Sequence, residues 1–154
     1  MCIRDSLRNA LWDAGYAVDT METACDWPRV DAMVAAMERA GRDALARHDE
    51  RTHCYTHLSH VYAQGSSVYS TFVYRIGPDY QTALARWQSL KAAVGDAIVA
   101  HGGTITHQHG IGKDHVRWLP AEKGATGMAA IAAMVRQFDP HGVMARGNLL
   151  GDVA

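Results

Sequence analysis

The sequence predicts an α+β domain, an antiparallel sheet with helices packed on one face. Three observations lead there. Two stretches, residues 28–48 and 79–101, carry apolar residues at helical spacing. Between them, residues 54–76 are rich in strand formers and interrupted by Gln64-Gly65-Ser66, a short glycine-containing link that suits an antiparallel hairpin. Along the chain the order is helix, strand, helix, strand, strand, helix, strand, helix, with no internal repeat.

Taken in order, Leu7, Ala10, Leu11 and Ala14 recur at helical spacing, and Gly15 stops that helix. Tyr16 to Thr23 is strand-like, with weak alternation. Asp26 is the expected N-cap of the next helix and Pro28 fits its first turn. Val30, Met33, Val34, Met37, Ala40, Ala44 and Leu45 form its inner stripe, where methionine fills the core. The hairpin strands are Cys54 to Ala63 and Ser67 to Ile76. In the second, Tyr69, Thr71 and Val73 face one way, and Val68, Ser70, Phe72 and Tyr74 the other. Gly77-Pro78-Asp79 breaks the strand. The helix that follows turns Leu84, Trp87, Leu90, Ala93, Val94 and Ile98 inward, and Gly102-Gly103 ends it. A last helix, from Pro120 to about Phe138, uses Met128, Ile131, Ala132, Met134 and Val135. The tail through Gly147-Asn148-Leu149-Leu150 is irregular.

Composition narrows the function classes. A chain of 154 residues holds one domain with a core, not two comfortable ones. Its 48% apolar and 20% charged residues belong to a folded protein. With a net charge of -1 and basic residues spread along the chain, it lacks the clustered basic face of a nucleic-acid binder. No apolar run approaches bilayer length, so no transmembrane helix is expected. Cys2, Cys25 and Cys54 make neither a disulfide framework nor a C-x-x-C pair, which fits a reducing, cytoplasmic setting. Met1 to Ser6 lacks a signal-peptide core and runs straight into a helical pattern. The expectation is a fragment that begins in mid-domain and whose first few residues are not native.

The densest chemistry lies in Thr106-His107-Gln108-His109-Gly110-Ile111-Gly112. If Gly103 to His107 is extended, His107 and His109 point to one face, and Gly110 and Gly112 let the backbone turn or lie against something flat. Nine histidines invite a metal reading, with His60, His107 and His109 converging. His53 and His57 lie in a strand and do not form the ligand pair that a helix would present. No carboxylate but Asp114 is near the His-x-His pair in sequence, so no metal is expected. His48, His101, His115 and His141 are read as ordinary surface or core residues. The better reading is acid/base chemistry: histidine titrates near neutrality, and a tyrosine such as Tyr69 becomes an acid or base only beside a group that stabilises its phenolate. The sequence carries no complete nucleotide-binding fingerprint.

Three runs, SHVYAQGSSVYSTFVYR, HGGTITHQHGIGKDHVRWL and FDPHGVMARGNLL, together with Glu22-Thr23-Ala24 and Trp27, resemble the C-terminal part of FAD-linked oxidases of the vanillyl-alcohol oxidase superfamily. Within it they are most similar to the alkylglycerone-phosphate (alkyldihydroxyacetonephosphate) synthase group. The likeness runs from about Leu7 to Leu150. It implies a cap or substrate domain with ferredoxin-like elements, FAD as cofactor, and an FAD-binding domain elsewhere in the same parent chain. It further implies a flavin-assisted exchange of an acyl for an alkyl group on a dihydroxyacetone-phosphate ester, on a small-molecule or lipid-like substrate. That leaves room for a peripheral membrane contact and for a homodimer. By motif position the acid/base tyrosine is Tyr69, and His107 and His109 are the outer members of a triple-histidine segment whose middle position is Gln108. His107, Gln108, His109, Gly110, Gly112 and Asn148 are the residues implied to meet the cofactor. Lys113, Arg117 and Arg146 are candidates for a substrate phosphate or carboxylate.

Two alternatives accompany that reading. The resemblance at HGIG extends to FAD-dependent D-lactate or 2-hydroxyacid dehydrogenases. Those carry a metal-binding histidine pair on the hairpin and a glutamate before the last histidine; here the hairpin offers His60 but then Tyr69, and Gln108 replaces the glutamate. The other alternative is a non-catalytic α+β interaction module.

Overall fold

The computed structural model describes residues 3–151. Helix α1 (Ile3–Asp13) leads into strand β1 (Tyr16–Asp26), and a short 3-10 turn at Trp27–Arg29 into helix α2 (Val30–Ala46). Strands β2 (His53–His57) and β3 (Gly65–Arg75) follow, then helix α3 (Tyr80–Ala100) and, after a long irregular stretch, helix α4 (Leu119–Phe138). The sheet is wholly antiparallel in the order β1-β3-β2, which is the α+β arrangement expected.

Alternation along β3 divides the sheet into two faces. Val68 and Phe72 (each 0% exposed) and Tyr74 pack with Met21 against Met33, Met37 and Leu45 of α2 and Leu90, Val94 and Ile98 of α3. On that side Ser70 Oγ lies 2.8 Å from Thr56 Oγ1. Burial pushes the Tyr74 hydroxyl far above its ordinary range, with Asp19 adding to the effect. Cys54, half-buried against this core, behaves the same way, its thiol pushed up to about 12 by burial and by Glu38. The opposite face carries Glu22, Tyr69, Thr71, Val73, Tyr55 and His57. Asp79 caps α3 by accepting from the Thr82 N–H at 2.8 Å.

The structure departs from the sequence-based expectation in four places. Strand β2 ends at His57 rather than continuing to Ala63, because residues 58–64 leave the ladder as a loop, tied to the start of β3 by the Val61–Ser66 bridge and by bonds from Ser59, His60 and Tyr62. The segment before the His-x-His pair is extended but not a regular strand. It runs beside β1 with two backbone bonds, Thr104 N–H to the Ala24 carbonyl and His107 N–H to the Glu22 carbonyl. Asp26 stands before the 3-10 turn and its side chain makes no cap bond. Helix α4 is kinked at Gly124, and its expected inner residue Met134 is 56% exposed, since α4 packs mainly on the turn at Val116–Trp118. Among the described residues, no helix is long and apolar enough to cross a membrane.

Candidate active site

The irregular segment Thr104–His107 is pinned from both sides. Thr23 Oγ1 donates to the Thr104 carbonyl at 2.6 Å, while one Glu122 carboxylate oxygen accepts from Ile105 N–H (2.9 Å) and from Thr104 Oγ1 (3.0 Å). Ile105 is driven into the interior at 1% exposure. Thus anchored, the chain delivers His107 and His109 to the open face of the sheet.

There both imidazoles meet one carboxylate. Glu22 Oε1 lies 3.1 Å from His107 Nδ1, and Glu22 Oε2 lies 3.1 Å from His109 Nε2. Ser59 Oγ donates to Oε1 at 2.7 Å and is itself tied to Ser67 Oγ at 2.6 Å. Glu22 is only 5% exposed. Burial works against its charge, yet the Ser59 hydroxyl, the His107 hydrogen bond and the fields of His107 and His109 outweigh it and hold the carboxyl below its ordinary range. The sequence reading placed only Asp114 near the pair; Asp114 is exposed in the loop beyond, and Glu22 takes that place instead. His60 Nδ1 stands 3.7 Å from the same Oε1, so Glu22, His60 and His107 bring ligand atoms within 4.8 Å of one another. Contrary to the expectation from sequence, a carboxylate does stand beside these imidazoles.

Tyr69 is the direct β3 partner of Glu22 on one side and of His57 on the other, so the three share one row of the sheet. Its ring stacks on His57 (centroids 4.9 Å apart, 27°) and meets His109 edge-on (5.7 Å, 82°). Tyr69 and His57 also line a cleft of about 340 Å³ floored by Thr20, Thr71 and Val73 and walled by Leu11 of α1. His107 does not join Tyr69. Its Nε2 lies 3.0 Å from the hydroxyl of Tyr62, a residue the sequence reading passed over together with His57 and the carboxylate of Glu22. The signal for Glu22 was present in the Glu-Thr-Ala run; His57 had none beyond its strand parity with Tyr69.

Of the expected anion-binding residues, Arg117 is occupied: it donates to Asp96 at 2.7 Å and lies over the Trp118 ring at 4.4 Å. Lys113 and Arg146 are exposed. The C-terminal tail returns to this region, with Leu149 N–H 3.5 Å from the Gly112 carbonyl, which sets Asn148 beside the glycine loop.

A model of the C-terminal domain of FAD linked oxidases matches residues 1–149. The chain belongs to that family. It is 28% identical over 94% of its length to an alkyldihydroxyacetonephosphate synthase of Caenorhabditis elegans and 26% identical, again over 94%, to one of Trypanosoma brucei brucei. It is also 26% identical over 84% of its length to YgcU of Escherichia coli, described as an uncharacterized FAD-linked oxidoreductase. The chain spans about a quarter of each of these relatives, 24%, 23% and 27%. A solved alkyldihydroxyacetonephosphate synthase structure overlays on 87% of this chain and 21% of its own, with a TM-score of 0.59 at 18% identity, a likeness of fold.

The family implies FAD, and the loop after the histidines suits a flat heterocycle. Gln108 is exposed with φ 62°, and Gly110 and Gly112 adopt φ 77° and 52° with nothing within 4 Å of where a side chain would stand. A ring system can therefore approach this backbone while His109 and the Gln108 amide offer polar edges.

Proposed function

We propose that this chain is the C-terminal substrate domain of an FAD-dependent enzyme of the alkylglycerone-phosphate synthase kind, completed by an FAD-binding domain of the same parent protein. The reaction is replacement of the acyl group of an acyl-dihydroxyacetone phosphate by a fatty alcohol. Tyr69 is the acid/base at the substrate carbon. The observation that carries this reading is the setting of Tyr69 between the imidazoles of His57 and His109, with Glu22 behind the second. The two imidazoles hold the phenol ring in place beside the cleft and are themselves groups that can pass a proton on. FAD, when bound, supplies the electrophile that activates the substrate carbon. This chain's residues bind, orient and move the proton: His109 is held toward Tyr69 by Glu22 Oε2, and Lys113 and Arg146 are the exposed cations that reach for the phosphate.

The test is Tyr69→Phe in a full-length flavoprotein carrying this domain. Turnover is expected to fall roughly 100- to 10,000-fold with flavin retained. Unchanged turnover would remove the acid/base role. One observation favours a second reading, an FAD-dependent 2-hydroxyacid dehydrogenase: the convergence of Glu22, His60 and His107, a donor set suited to zinc or manganese. Loss of 2-hydroxyacid oxidation on chelation, restored by zinc or manganese, would select it.

A further inference from the structure

Tyr62, His107 and Glu22 stand in line. The Tyr62 hydroxyl is 3.0 Å from His107 Nε2, and His107 Nδ1 is 3.1 Å from Glu22 Oε1. An ionised carboxylate only accepts, so Nδ1 carries the hydrogen of the neutral ring; Nε2 is then an acceptor and Tyr62 the donor to it. Hydroxyl, imidazole and carboxylate thus follow one another as in proton-abstracting triads, where the carboxylate fixes the tautomer and steadies the imidazolium. The inner end is closed, with Glu22 at 5% exposure, and the outer end is open, with Tyr62 at 46%.

One stretch of chain holds both ends. Glu22 lies on β1, and five residues on, Trp27 Nε1–H donates to the Tyr62 carbonyl at 3.2 Å while its backbone N–H donates to the Gln64 carbonyl at 3.1 Å. Tyr62 N–H closes the turn on the Gly65 carbonyl at 2.9 Å. Gly65 is pressed against β1 so closely that a side chain there would collide with the Cys25 carbonyl oxygen. The relay is therefore built into the fold and is not a chance meeting of surface groups.

The exchange reaction contains two proton jobs. One is at the substrate carbon, given above to Tyr69; the other is at the incoming alcohol, which must lose its proton as it attacks. We propose that Tyr62, His107 and Glu22 form a second proton relay, dedicated to the hydroxyl of an alcohol substrate. This rests on the exchange reading. The alcohol oxygen forms the new C–O bond and passes its proton to Tyr62 Oη, whose own proton moves to His107 Nε2. The old C–O bond breaks with its electron pair and the acyl group leaves as carboxylate. The imidazolium, held by Glu22, returns its proton to water, so one proton is released for each carboxylate.

Two measurements test it. In a full-length flavoprotein carrying this domain, exchange of the substrate C–H with solvent reads the carbon step, and alcohol-dependent turnover reads both. Tyr62→Phe is expected to lower alcohol-dependent turnover roughly 100-fold more than it lowers C–H exchange, whereas Tyr69→Phe lowers the two together. Equal effects of Tyr62→Phe on both, or none on turnover, overturn the relay. A wild-type protein without alcohol exchange sinks the exchange reading instead. The relay is then judged on this chain by the nitrogen resonances of His107. They are expected to show hydrogen on Nδ1, with Nε2 moving on Tyr62→Phe and Nδ1 on Glu22→Gln. Signals indifferent to both variants, or a wild-type ring protonated on Nε2 alone, overturn it.

Discussion

The two faces of the sheet are made from alternate residues of the same strands, and they have been put to opposite uses. One face, with Met21, Val68 and Phe72, is sealed under α2 and α3, and Ser70 and Thr56 pair with each other within it. The other face has Glu22, Tyr69 and His57 in a single row and, among the described residues, carries a cleft bordered by part of α1. Because the side-chain period of a strand is two, a residue on the chemical face can change without disturbing the packed one. Stability and chemistry are separable here to a degree that a helical site, with its staggered neighbours, does not allow.

The sharpest test of that separation pairs two neighbouring positions of β3. Phe72→Ala empties a fully buried site between α2, α3 and the sheet, and is expected to cost about 3–5 kcal/mol of unfolding free energy. Tyr69→Phe keeps the ring against His57 and His109, and is expected to stay within about 0.5 kcal/mol of wild type by denaturant titration. Comparable losses from the two would mean that the open face is part of the core.

A smaller effect is expected where the site leaves the sheet. Glu122→Ala removes the acceptor for Ile105 N–H and Thr104 Oγ1, and should cost about 1 kcal/mol. Because that carboxylate anchors the segment carrying His107 and His109, the variant should also move the His109 ring signals, while those of His57 on β2 stay in place. Disturbance of both rings, or of neither, would show that Glu122 does not act through this segment.

What could be read from the sequence follows the same division. The helices were legible because α2 and α3 repeat their apolar residues at helical spacing, and the facing of β3 because Val68, Ser70, Phe72 and Tyr74 alternate with Tyr69, Thr71 and Val73. The carboxylate of the site was not: Glu22 is separated from His107 by 85 residues and sits in a strand where either face was open to it. Tyr62 lies in a stretch with strand-like composition beyond the strand itself, which ends at His57, and the loop of residues 58–64 brings its hydroxyl to His107. Met134 failed for the converse reason. Its helical spacing is sound, but spacing does not say whether a partner layer exists, and among the described residues α4 has little beyond the Val116–Trp118 turn.

The smallest expected effect concerns the charge of Glu22. Its carboxyl is held below the ordinary glutamate value of 4.5, so the folded protein keeps the charge at pH values where the unfolded chain has already taken up a proton. The stability this gives is complete above about pH 4.5, and falls away as the pH drops through the folded value. Asp96 and Glu122 are lowered as well and give the wild type an acid slope of their own. The informative quantity is therefore the difference between wild type and Glu22→Gln, in which those slopes cancel. Measured by thermal unfolding from pH 7 downward, the gap in favour of wild type should hold to about pH 4.5 and then narrow. A gap that stays constant to pH 3 would mean that Glu22 titrates alike in both states, and that His107, His109 and Ser59 do no more for its charge than water does.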